Sequence, residues 1–300
     1  MLSFGASILG ETKKRQNMNI ILGASGQVGS NIVKELISHN LPVRAVIRSR
    51  NPGFDSQVEI RTADLFNPEQ LTDALEGGNT VFLLTPEDPA SNDIIGETQQ
   101  IINNYKQAIH ANGIKRVVGL SCIGAHVEAN TGNVLMSRML EQGFADLDIE
   151  KIFIRPSYYF SNWLGFLETV EQYGVLPTFF PEDLEVDMNS PIDVATFIAK
   201  VIAHKSRSSD VFELVGPQKY SSRQVAETFS KLLDKHVELQ PVPKEKWNET
   251  LASAGFTAST TANLVDMTQA VIDDIVVPEN PDAVCLPTTL YQYLKEKLEK

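Results

Sequence analysis

Apolar and polar positions along this chain follow two rhythms, and their alternation outlines the elements. Short apolar runs at Ile20–Leu22, Val43–Ile47, Val58–Arg61, Thr80–Leu84, Arg116–Ser121 and Lys151–Ile154 read as strands. Between the first two, Ile32, Val33, Leu36 and Ile37 recur at helical spacing, and further helices are expected around Pro68–Leu75, Asn92–Ala111 and Leu135–Phe144. Strands separated by helical patterns predict βαβ units around a parallel sheet. After Pro156 the pattern changes: Tyr158, Tyr159, Phe160, Trp163, Phe166, Tyr173, Phe179 and Phe180 crowd together, although aromatic residues make up only 8% of the chain. Core packing accounts for most such rings. A subset near the carboxyl edge of the sheet is expected to line a substrate pocket. Farther on, Val211–Leu214 and Val237–Pro241 read as strands and Lys244–Ala254 as a helix, while Ser221 with Gln224 forms a capping box at the start of another helix.

The break between the first strand and the first helix carries the chemistry. It reads Gly23-Ala24-Ser25-Gly26-Gln27-Val28-Gly29, three glycines spaced three apart. A tight turn needs residues that tolerate positive φ, and a phosphate can approach a backbone only where no Cβ intervenes. The helix beyond directs unpaired N–H groups and its positive dipole end at the turn, as a dinucleotide pyrophosphate requires. A ligand-free glycine turn is the alternative. The second strand ends in Arg48-Ser49-Arg50, with no acid between Val43 and Arg50. An acid there would bind a ribose 2′-hydroxyl, whereas arginine accommodates a 2′-phosphate. Arg48, helped by Arg50, therefore favours NADP(H) over NAD(H), with solvated loop charges as the alternative. The expected fold is α/β: a Rossmann-type doubly wound parallel sheet over residues 18–156. A smaller α+β substrate-side portion over 157–300 packs on it with interleaved elements, and residues 1–17 form an extension.

Composition narrows the function classes. Three hundred residues with 42% hydrophobic and 21% charged positions suit an ordinary globular chain with a sizeable core. A net charge of −12 argues against nucleic acid as partner, because phosphate backbones demand basic patches. The one basic run, Lys13-Lys14-Arg15, lies in the N-terminal extension. The two cysteines stand far apart and the five histidines form no HxxH or HxxxH pair, so neither a disulfide framework nor a metal site is expected. No apolar run approaches the ~18 residues of a membrane span. Apolar residues precede the basic cluster at the N-terminus, the reverse of a signal peptide. Met18 opens the first strand and is the alternative start, and a cytoplasmic location is expected.

With these residues in view, the chain resembles the NmrA-like group of atypical short-chain dehydrogenases/reductases, which includes type 2 NADPH–quinone oxidoreductases and NADP(H)-sensing regulators. The likeness spans about residues 18 to 276. It rests on the glycine turn, the arginine after the second strand, Ala63-Asp64-Leu65, and Arg155-Pro156 followed by Phe160 and Asn162. Phe212-Glu213-Leu214-x-Gly216-Pro217, the Ser221-capped helix and Pro243-xxx-Trp247 fit as well. The resemblance implies that Ser25 to Val28 donate backbone N–H groups to the pyrophosphate. Asp64 would hold the adenine amino group beside Leu65. Leu84, Thr85 and Pro86 would border the ribose and nicotinamide, and Ser121 would face the nicotinamide unless it is simply a satisfied strand-end hydroxyl.

One departure stands out. Short-chain reductases carry Tyr-xxx-Lys before the sixth strand, a pair that passes a proton to a carbonyl. NmrA-like members often keep only the lysine, four residues before a glutamate. Here that glutamate is Glu141, fourteen residues before Arg155, and counting back gives Ser137 and Asn133. Neither acid–base partner is present, so the catalytic residues are left open. A quinone needs little help from a general acid, since its reduced oxyanion is well stabilised. The expected function is thus reduction of a quinone, enone or similar small acceptor by NADPH, with Tyr158 or Asn162 offering the substrate oxygen a hydrogen bond. A non-catalytic NADP(H) sensor acting through a protein partner is the alternative. A homodimer is open. An epimerase ranks last because it needs the same missing pair, and Gly119–Gly124 has the wrong spacing for a hydrolase elbow.

Overall fold

In the computed structural model, which describes residues 18–49, 52–204 and 210–299, each apolar run of the first half becomes a strand of one sheet. β1 (Met18–Ile21), β2 (Val43–Ile47), β3 (Glu59–Thr62), β4 (Gly78–Leu84), β5 (Arg116–Leu120) and β6 (Glu150–Pro156) alternate with α1 (Gln27–Ser38), α2 (Pro68–Ala74), α3 (Ile94–Asn112) and α4 (Val134–Gly143). Neighbouring strands are parallel, in the order β3-β2-β1-β4-β5-β6. The order reverses between β1 and β4. In open α/β sheets, ligands bind outside the carboxyl ends of the strands at such a switch point.

The second half is less simply built. β7 (Tyr158–Tyr159) leads through a 3-10 stretch, Phe160–Phe166, to α5 (Leu167–Tyr173), β8 (Val175–Thr178), β9 (Val186–Asn189) and α6 (Pro191–Ala203). Then come β10 (Asp210–Val215), β11 (Lys219–Tyr220), α7 (Ser222–Leu233), β12 (Glu238–Pro241), α8 (Trp247–Ser253), α9 (Ala258–Ile272), β13 (Val284–Cys285) and α10 (Leu290–Leu298). β10 pairs in parallel with β6, and β13 with β10, so the sheet runs to eight strands. Pro156 is therefore a crossing point, from which the chain leaves the sheet and later returns.

Burial follows from this layering. One face of the sheet packs against α1 and α6, where Ile32, Val33, Leu36, Val194 and Ile198 are sealed from solvent. The other face packs against α2, α3 and α4 through Leu71, Ile101, Tyr105 and Leu140. A third cluster around Phe160, Trp163, Phe229 and Tyr293 takes up several of the crowded aromatics, as core packing predicts. Helix starts are mostly satisfied by side chains. Asn67 caps α2 ahead of Pro68, Ser190 caps α6 ahead of Pro191, and Ser221–Gln224 forms the expected capping box. Among the described residues, no helix is long and apolar enough to cross a membrane. Arg50 and the run Lys13-Lys14-Arg15 lie outside the described residues.

Candidate active site at the carboxyl edge of the sheet

The start of α1 differs from the capped helices. Its N-cap is Gly26, which offers no side-chain oxygen, and its first turn carries no acid. The first intrahelical bond runs from Ser30 N–H to the Gly26 carbonyl, which leaves the amides of Gln27, Val28 and Gly29 ahead of the hydrogen-bond ladder. Gly23 adopts a left-handed φ of +61° and Gly29 sits so close that a Cβ would drive into the Gly23 carbonyl. Ser25, Gly26 and Gln27 are exposed at the switch point, while Val28 faces the core. This cradle of free amides at a positive helix end fits a pyrophosphate. Gln27 Nε2 also donates to Ser161 Oγ at 2.9 Å, which ties the turn to the substrate-side portion.

Two exposed groups flank the cradle. Arg48 stands past the end of β2, and no carboxylate pairs with it among the described residues. Asp64 follows β3; its Oδ1 accepts from Phe66 N–H at 3.0 Å, while Gln70 Oε1 accepts the Asp64 N–H. Leu65 is half-buried beside it, its carbonyl held by Asn104. At the end of β4 the Leu84 side chain covers Gly23, its carbonyl accepts the buried Tyr105 hydroxyl at 2.9 Å, and Thr85 and Pro86 open toward solvent.

Next to this groove lies a buried ionic knot. Arg155 grips Glu141 with two hydrogen bonds, Nε to Oε1 at 2.9 Å and Nη2 to Oε2 at 2.8 Å. Its Nη1 reaches Glu279 at 2.7 Å and Glu213 at 3.4 Å. Burial works against the guanidinium's charge, but its acidic partners outweigh that and push its pKa up. Ser121, itself buried, donates to Glu141 Oε1 at 2.6 Å, the geometry of a satisfied strand-end hydroxyl. His126, Glu213 and Glu279 come near enough to one another to share a cation. The Arg155 guanidinium already supplies positive charge to both acids.

The spot where a proton relay is expected is walled by other residues. α4 carries neither tyrosine nor lysine. Asn133, at its N-cap, donates from Nδ2 to Glu87 Oε2 at 3.0 Å, and its own Oδ1 is buried without a partner. The Ser137 side chain hydrogen-bonds the Cys122 thiol, whose pKa burial pushes up to about 12, so the thiol stays protonated and inert. The Tyr159 hydroxyl is also buried and unpartnered, within electrostatic reach of Glu87 and Cys122. Leaving such a group unsatisfied costs about 1–3 kcal/mol, so a hydroxyl held this way is a hydrogen-bond donor awaiting an acceptor. α9 is tied to the loops after β4 and before α4. Thr257 and Thr260 bond to the Pro89 carbonyl, and Asn130 donates to Asp266 at 2.7 Å. Gly132 lies directly under the Asn263 carbonyl, with no room for a Cβ.

Tyr158 and Asn162 do meet. The Tyr158 ring packs edge-on against Trp163 and Phe180, and burial pushes its hydroxyl up to about 12 against a hydrogen bond from Asn162. Tyr158 lines a largely apolar cavity of about 130 Å³ with Ile123, Val134, Phe180, Lys219 and Met267. Its hydroxyl is thus engaged within the protein rather than at the surface. Sequence reasoning named Tyr158 and passed over its neighbour Tyr159, as it passed over Glu87. Alternation along β7 sends adjacent tyrosines to opposite sides, and only that parity could have separated them.

Comparison with known proteins places this geometry. The model of the NmrA-like family matches residues 16–293. An NAD(P)H azoreductase of Xenophilus azovorans is 24% identical over 248 residues, 81% of this chain and 83% of that protein. Quinone oxidoreductase 2 of Escherichia coli K12 is 24% identical over 245 residues, covering 80% and 82%. The crystal structure of a Citrobacter triphenylmethane reductase complexed with NADP(H) shares the fold, with a TM-score of 0.74 at 20% identity over 93% of this chain and 99% of that one.

Proposed function

This chain belongs to the NmrA-like family, and from that premise we propose that it is an NADPH-dependent oxidoreductase acting on a quinone, enone or similar small conjugated acceptor. The observation that carries the proposal is the uncapped, acid-free start of α1, whose free amides follow a glycine turn at the sheet's switch point. Relatives named as an azoreductase and a quinone oxidoreductase, and a fold neighbour complexed with NADP(H), support it.

In this reading the amides of Ser25, Gln27 and Val28 hold the pyrophosphate, the Gly26 N–H being donated to the Gly23 carbonyl, and Gly23, Gly26 and Gly29 make room for it. Arg48 meets the 2′-phosphate, which makes NADP(H) the preferred cofactor. Asp64 offers Oδ2 to the adenine amino group with Leu65 beside the ring. Leu84, Thr85 and Pro86 border the ribose. Ser121 shapes the nicotinamide wall, with its hydroxyl fixed on Glu141. The bound nicotinamide supplies the hydride, and the protein orients the acceptor against it. The Tyr159 hydroxyl can donate to the acceptor's oxygen, while Tyr158, hydrogen-bonded by Asn162, lines an apolar cavity. No Tyr-xxx-Lys pair acts from α4, so a proton taken up by the reduced acceptor comes from another group. We place the protein in the cytoplasm, where NADPH is available and both cysteines stay free.

The test is incubation of the full chain with NADPH and a panel of quinones, enones and azo dyes, following loss of the reduced-nicotinamide absorbance. Acceptor-dependent consumption of NADPH is expected. Tight NADPH binding without turnover on any acceptor would overturn the reductase reading and favour a sensor.

A further inference from the structure

We propose that Glu87 is the proton donor of this site, passing its carboxyl proton to the acceptor while Asn133 and the Tyr159 hydroxyl hold the reacting groups in register. The proposal rests on the reductase reading above. Glu87 follows Leu84-Thr85-Pro86, so it extends from the strand end that borders the cofactor groove. Asn133, at the start of α4, donates its amide to Glu87 Oε2 at 3.0 Å and so fixes the carboxyl beside that helix start. Among the described residues the buried Asn133 Oδ1 and Tyr159 hydroxyl have no hydrogen-bond partner, and Tyr159 lies within electrostatic reach of Glu87.

The surroundings favour an acid over a carboxylate. The titratable groups that face Glu87 are Cys122 past the end of β5 and Tyr159 on β7, neither of them cationic. On its own loop Asp88 is engaged with Ala90 N–H, and on α9 Asp266 is engaged with Asn130. The nearby guanidiniums are committed elsewhere: Arg155 to Glu141, Glu213 and Glu279, and Arg138 to Glu128. Desolvation of the carboxyl raises the Glu87 pKa, and the Asn133 hydrogen bond opposes it in part. The residue as a whole is exposed, so a spent carboxylate can be recharged from water.

The step balances. The acceptor gains a hydride from the reduced nicotinamide, which is oxidised. The Glu87 O–H bond breaks as a new O–H or N–H bond forms on the reduced acceptor, and water returns a proton to Glu87. Only the protonated form donates, so turnover must fall as pH rises through the raised pKa.

The experiment compares the wild type with Glu87→Gln and Asn133→Ala, using NADPH and menadione across a pH series. For the wild type, kcat/KM should fall about tenfold per pH unit on the alkaline side. Glu87→Gln should lose that limb and sit about tenfold or more below the wild-type acid plateau, with NADPH affinity unchanged. Asn133→Ala removes a bond that favours the carboxylate, so its limb should move to higher pH. A readout independent of turnover is the infrared band of a protonated carboxyl. In the full chain without acceptor it should persist above the usual glutamate range in the wild type and vanish in Glu87→Gln. Wild-type rates and an unshifted limb in folded Glu87→Gln would overturn the assignment alone. A wild type that consumes no NADPH would overturn the reductase reading, and this proposal with it.

Discussion

At the scale of single residues, the proposed preference for NADP(H) rests on Arg48. It is exposed past β2 and unpaired among the described residues, so its guanidinium is available for a phosphate. A hydrogen bond to a charged group is worth about 1.5–3 kcal/mol, so Arg48→Ala should weaken NADPH binding roughly tenfold to a hundredfold. NADH lacks the phosphate and should bind the variant as it binds the wild type. Titration by fluorescence of the bound reduced nicotinamide checks both, and equal losses would refute the role. Positions set by the local chain were legible in the sequence. The glycines, Arg48 and Asp64 stand at the strand ends where the sequence put them, and the roles proposed for them follow from that position. The meeting of Glu87 with Asn133 and Tyr159 was not legible, because distant segments bring them together.

At the scale of elements, the turn between β1 and α1 is the clearest link from sequence to chemistry. Gly29 allows the helix to start against the Gly23 carbonyl, and that approach aims the free amides outward. Adding a single methyl with Gly29→Ala must displace the turn, at a cost of about 1–3 kcal/mol. A lower melting temperature and NADPH binding weakened about tenfold or more are expected, measured by thermal denaturation with and without the nucleotide. An unchanged response to NADPH would mean that the turn does not cradle it. The strands and helices of the first half were foreseen because each buries an apolar run against the sheet. α9 was not foreseen, since its polar positions give weak amphipathy, with Thr260 and Asp266 bonded to the loops at Pro89 and Asn130. β7, β9 and β11 were too short for alternation to show.

At the scale of the whole molecule, the substrate-side portion is a set of excursions from one sheet. β10 and β13 return to extend it, α6 packs on α1, and α9 folds back over the carboxyl edge. Arg155 joins these parts, since its partners come from α4, from β10 and from the segment before β13. The two halves of a site for cofactor and acceptor are thereby fixed to one frame, with Gln27 and Ser161 in direct contact between them. That arrangement is what makes a reductase the reading that fits. Its central claim is that the sheet's switch point holds a dinucleotide with a 2′-phosphate. The most direct measurement is a parallel calorimetric titration of the wild-type chain with NADPH and with NADH. One NADPH bound per chain, clearly more tightly than NADH, is the predicted result. Binding of neither nucleotide would contradict the account.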